Sequence, residues 1–71
     1  MGKEQIRNEV LLLDIAEKIK QLRAERSLTQ EDVYNDTGIH IARIETGKSN
    51  ITISTLHALL GYFEVTLKEF F

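Results

Sequence analysis

Apolar residues recur along this chain at three- and four-residue spacing, the period of helices packed on one side. Stepping about 100° per residue from Ile19, Leu11, Leu12, Ile15, Ile19 and Leu22 fall within roughly a 100° sector, the width of a core-facing stripe. The spacing therefore predicts one amphipathic helix over residues about 8 to 26. A second row, Ile6, Val10 and Leu13, runs at i, i+4, i+7 almost opposite the first. Such a row is a candidate dimer contact, a seat for the chain's own Phe70 and Phe71, or a solvated tail.

Polar punctuation divides the remainder of the chain. Thr29 can cap a helix that begins Gln30-Glu31-Asp32, with acidic groups at its positive end, while Leu28 and Val33 occupy the two positions of a hydrophobic staple. Gly38 is suited to a terminating turn, so this helix is short. Ile41 and Ile44 lie three apart with Arg43 pointing elsewhere, which predicts a second short helix over about His40 to Glu45, ending near Gly47. From Thr52 a further apolar series runs through Ile53, Leu56, Leu59, Leu60 and Phe63 at helical spacing. Thr66-Leu-Lys-Glu69 then fits a capping box opening a last turn with Leu67, Phe70 and Phe71. The pattern predicts an all-α fold, a compact five-helix bundle, with helices at about 8–26, 52–63 and 66–71 flanking a pair within about 29–46.

Composition sharpens this picture in a few places. The 71 residues form a single domain and include neither cysteine nor proline, so a small core must hold the fold without disulfides or a thiolate metal site. A chain of this size buries only about 60% of its unfolded surface, which leaves stability marginal unless it oligomerises. The longest wholly apolar run, Val10 to Leu13, cannot cross a bilayer, and no segment resembles a signal peptide; a soluble, cytoplasmic protein is expected. The net charge of −2 argues mildly against a nucleic-acid partner, but its distribution matters more than its sum. Lys18, Lys20, Arg23 and Arg26 make one stretch basic, and Glu31, Asp32 and Asp36 make the next acidic.

The order of these pieces resembles the Xre-like family, the Cro and phage-repressor type of helix-turn-helix. It is carried by Leu28-Thr-Gln-Glu, Arg43-Ile-Glu-x-Gly-Lys, Asn50, Thr55-Leu and the ending Val65-Thr-Leu-x-Glu-Phe, in sequence over residues 12 to 71. The resemblance implies a lambda-repressor-like fold in which the second helix of the motif enters the major groove of double-stranded DNA while the first crosses the backbone. Between Gln30 and Glu45 the chain is about three residues shorter than the family pattern. Anchored from the left, Gly38 is the turn glycine and the recognition helix loses most of a turn; anchored from the right, Thr37 caps that helix and Gly38 lies inside it. Ile51 and Glu64 stand where the family often has proline and glycine, and a left-handed Glu64 costs on the order of 1 kcal/mol.

The candidate DNA-binding residues are Gln30, Thr37, His40, Arg43, Thr46, Lys48, Ser49 and Asn50. An arginine at position 43 can take guanine O6 and N7 as a bidentate pair; otherwise it is solvated or paired with a carboxylate. Gln30 resembles the family glutamine that bonds phosphate and braces the reader, and Lys48, Ser49 and Asn50 supply donors in a turn suited to phosphate contact. Arg23 and Glu45 match a family pair that pins the end of the recognition helix, a structural ion pair rather than a DNA contact. Two lone histidines, His40 and His57, lack a third ligand for a metal. The resulting expectation is a transcriptional regulator that binds a palindromic operator as a homodimer, with no catalysis, cofactor, membrane or small-molecule substrate. A protein-interaction module, such as the antitoxin of a toxin-antitoxin pair, is the alternative, motivated by the acidic balance and the Ile6 row.

Overall fold

The computed structural model describes residues 8–71, which form five helices: α1 (Glu9–Glu25), α2 (Gln30–Thr37), α3 (Ile41–Ile44), α4 (Ile53–Phe63) and α5 (Leu67–Phe70). Helix starts follow from local chemistry. Asn8 Oδ1 accepts the Leu11 amide at 2.9 Å, and Thr52 accepts that of Thr55, each satisfying a donor that the first turn leaves orphaned. Thr29 and Thr66 go further, forming reciprocal capping boxes with Asp32 and Glu69. For α2 the box partner is Asp32, so its carboxylate is a cap as well as a favourable charge at the helix start.

Helix ends are equally local. After α1, Leu28 N–H reaches Arg23 C=O and Ser27 N–H reaches Ala24 C=O, with Ser27 left-handed at φ 56°. The same paired closure ends α4, where Val65 bonds back to Leu60 and Glu64 to Gly61, with Glu64 at φ 63°. Glu64 thus takes the conformation usually given to glycine, and a β-carbon there costs on the order of 1 kcal/mol.

All five helices contribute to one core: Ile15 and Ile19, Val33, Ile41 and Ile44, Leu56, Leu59, Leu60 and Phe63, and Phe70. Two side chains expected in that core are outside it. Leu11 is 42% exposed, because it lies at the outer edge of the α1 stripe, and Ile53 is 64% exposed as the first residue of α4. Cations of α1 and the turn after it tie the closing helices down. Arg26 donates to Phe63 C=O from Nη2 at 2.7 Å and Nε at 3.1 Å, and Lys18 Nζ donates to Phe70 C=O at 3.0 Å. Both pairs put positive charge on carbonyls that a helix end leaves open.

Candidate nucleic-acid interface

The turn between α2 and α3 decides which residues can face a ligand. Gly38 caps α2 at φ 76°, its N–H on Tyr34 C=O, so the glycine belongs to the turn and not to the following helix. Thr37 is therefore the last residue of α2, half-buried, its hydroxyl donating to Val33 C=O and accepting the Ile39 amide. The alternative register, with Thr37 capping the second helix, is excluded by this geometry; His40 holds that place without a side-chain cap.

What remains of the second helix is four residues. Ile41 and Ile44 are buried at 1% and 8% exposure, which turns Ala42 and Arg43 outward. A single turn has no stability of its own, since helix nucleation is unfavourable and only packing repays it. Its position must come from its neighbours.

The end of α3 is fixed by charge. Arg23 Nε donates to Glu45 Oε2 at 2.7 Å and Nη2 to Oε1 at 3.0 Å, a two-point fork, while Nη1 donates to Leu28 C=O at 2.9 Å. Gln30 Nε2 adds a bond to Glu45 Oε1 at 2.9 Å. The Glu45 side chain is 3% exposed and that of Arg23 18%, so the pair sits largely out of water. Burial pushes the Glu45 carboxyl up, but the bonds from Arg23 and Gln30, with the charges of Arg23 and Lys20, outweigh it and hold the group below the ordinary carboxylate range. Gln30 thus has a partner inside the fold, on the bracing side of the role expected of it.

The start of α3 is gripped by a residue that sequence reasoning does not single out. The Tyr34 ring lies against the His40 imidazole, centroids 4.7 Å apart and planes tilted by 36°. Tyr34 is one helical turn beyond Gln30, so one face of α2 holds both ends of α3. That i+4 spacing is the available signal. Asp32 and Asp36 lie roughly 200° to 240° around the helix from Gln30, away from this face. Asp36 accepts the Tyr62 hydroxyl at 2.6 Å, which raises the Tyr62 pKa above its usual value.

Beyond α3 the chain turns sharply at Gly47, φ 74°, beneath α1. A β-carbon there would lie 2.6 Å from Leu13 Cδ2, the tip of an exposed side chain, and 3.3 Å from Leu13 Cα, so close approach of α1 adds to the backbone's preference for glycine. Thr46 donates to Arg43 C=O and accepts the Lys48 amide, closing the turn; Thr46, Lys48 and Asn50 are exposed and Ser49 half-buried. Glu9, Leu13, Thr46, Gly47 and Lys48 line a groove of about 200 Å³ here.

Charge is redistributed relative to the sequence. Lys18 pairs with Asp14, Lys20 with Glu17, Arg23 with Glu45 and Arg26 with Glu25, so each cation of the basic stretch has a carboxylate beside it. The Arg43 side chain is exposed and has no hydrogen-bond or ion-pair partner among the described residues. Val10 and Leu13 are 79% and 55% exposed on α1, whereas Ile6 lies outside the described residues. Among the described residues no cluster of three His, Cys, Asp or Glu side chains could hold a metal, and no helix is long and apolar enough to cross a membrane.

Comparison with curated proteins and with solved structures finds no match. A helix-turn-helix family model matches residues 19–70, from the middle of α1 through α5, and so includes the braced pair α2 and α3 and most of the core. With two helices held at their ends around a glycine turn and a family match over well more than half of its length, the chain belongs to the Xre-like helix-turn-helix family of DNA-binding regulators.

Proposed function

We propose that this protein is a sequence-specific transcriptional regulator that binds a palindromic operator as a homodimer, with α3 in the major groove. The observation that carries the reading is Arg43: its side chain exposed, with no partner among the described residues, on a helix whose far end is locked by Arg23, Gln30 and Glu45. An arginine presented from a pinned helix suits the paired acceptors O6 and N7 of guanine, worth about 1–3 kcal/mol of discrimination. His40 stands at the head of the same helix as a second base-facing group. Thr46, Lys48, Ser49 and Asn50 supply donors to phosphates, which set orientation without reading sequence, and Gln30 adds to them from the start of α2. Thr37, half-buried under the turn, contributes by holding Ile39.

Dimerisation through Val10 and Leu13 is supported by their exposure in a small domain, and a two-fold pair would place half-sites about one DNA turn apart. The protein would act in the cytoplasm, without cofactor or catalysis. The same apolar row favours a second reading, a module that binds another protein, as an antitoxin does, and recognises DNA secondarily. Selection of bound duplexes from a random pool, with Val10→Glu and Leu13→Glu analysed by sedimentation, separates the two. A palindromic consensus with monomeric, weaker-binding variants supports the regulator. No consensus, with the apolar row needed only for a protein partner, supports the module.

A further inference from the structure

Helix α3 is a single turn, and two of its four side chains are spent on the core. Its outward surface is too small to present many groups to DNA. The structure brings a third group to its head: Tyr34 of α2, 45% exposed, with its ring against His40 at 4.7 Å. No hydrogen bond or ion pair holds the phenol among the described residues, in contrast to Tyr62, whose hydroxyl is taken by Asp36. Gly38, between the two residues in sequence, has open space where a β-carbon would stand, and His40 is exposed like Tyr34.

We propose that Tyr34 is a DNA-contacting and positioning residue, its hydroxyl donating to a backbone phosphate while its ring fixes the His40 imidazole toward a base edge. The proposal rests on the regulator reading above. The general docking of such a motif, together with the shared face and the exposure of Tyr34, carries it. The first helix of such a motif crosses the DNA backbone and the head of the second meets base edges, which assigns phosphate to Tyr34 and base to His40. Tyr34 shares its face of α2 with Gln30, the residue bonded to the far end of α3, so whatever surface α3 presents, Tyr34 flanks. Finally, a half-exposed aromatic with an amphipathic tip is suited to a surface that is dry on one side and polar on the other. The bulk of the phenol ring also supplies contact area that a one-turn helix lacks.

The test uses the full chain and a duplex chosen by pool selection, compared with every single-base variant of that duplex. Tyr34→Phe keeps the ring and loses the hydroxyl. It is expected to weaken binding by about tenfold, evenly across all base variants, because a phosphate hydrogen bond carries no sequence information. The salt dependence should be unchanged, since a neutral donor releases no counterion. Tyr34→Ala is expected to show the same loss and also to flatten the preference at the base pair where His40→Ala flattens it, the two changes being non-additive. Urea unfolding of each variant reports the fold separately. Wild-type affinity and an unaltered base profile in folded Tyr34→Ala, while Arg43→Ala loses selectivity, would overturn the proposal and leave the regulator reading intact. Absence of selective binding by the wild type would remove both.

Discussion

Replacing Arg23 with alanine removes three hydrogen bonds at once: two to Glu45 and one to Leu28 C=O. The Glu45 carboxylate, 3% exposed, then keeps only the amide of Gln30. Breaking a buried pair from one side costs about 3–5 kcal/mol, because the remaining charge is neither solvated nor neutralised. A domain of this length has a total stability of roughly 4–10 kcal/mol, so the loss is a large fraction of it. Thermal unfolding should fall by about 4–8 °C for each kcal/mol. The assay is urea unfolding across pH. In the wild type the Glu45 pKa is lowered on folding, so its contribution is complete above the ordinary carboxylate range and is lost as pH falls through the folded value. In Arg23→Ala, burial dominates and raises that pKa, so acidification through the carboxylate range should relieve the variant while it weakens the wild type. The double variant Arg23→Met with Glu45→Leu should be more stable than Arg23→Ala, since no charge is stranded. A loss below about 1 kcal/mol in Arg23→Ala, the value of an exposed pair, would mean that Glu45 is not left stranded out of water.

Other expectations concern the backbone and one phenol. Glu64→Gly should raise stability by on the order of 1 kcal/mol in urea unfolding, by relieving a left-handed residue; a decrease would mean that its exposed side chain stabilises the fold in some other way. Gly38→Ala and Gly47→Ala separate strain from crowding: both have positive φ, but only Gly47 faces Leu13 at 2.6 Å. The first should cost about 1 kcal/mol and the second about 1–3 kcal/mol more, with equal costs contradicting the close approach of α1. Absorbance titration should find Tyr62 ionising above the usual tyrosine range, and Asp36→Asn should bring it back down; no change on that substitution would show that the 2.6 Å bond is not maintained in solution.

Much of the fold is legible in the sequence because its elements are defined locally. Thr29, Thr66 and Gly38 act within four residues of themselves, and the apolar spacing of α1 and α4 reports which side faces inward. The misplaced residues lie where local pattern meets an element's edge: Leu11 at the margin of its stripe, Ile53 on a first turn. The sequence leaves the length of α3 open between two registers because Thr37 is a plausible cap and Gly38 tolerates a helix interior at modest cost. The backbone conformation decides between them: the Thr37 hydroxyl bonds back to Val33 C=O inside α2, and Gly38 is left-handed. Charge is less legible. The basic residues of α1 look like a patch in sequence, but each has a carboxylate within 4 Å in the fold, at i−1, i−3, i−4 or across to Glu45. Tyr34 escapes notice because its i+4 spacing from Gln30 places it on the same face of α2 without announcing that its ring will meet His40 across a turn.

The family establishes DNA binding in outline, and the role of α3 as the reader is the claim on which the rest depends. Its most direct test is the affinity of wild type and Arg43→Ala for a pool-selected duplex and for each single-base variant of it, at fixed salt. Arg43→Ala is expected to lose about 10- to 100-fold on the selected duplex and to become indifferent at one G·C pair per half-site while keeping its preferences elsewhere. An even loss at every position, or an unaltered profile, would contradict a reader built on α3.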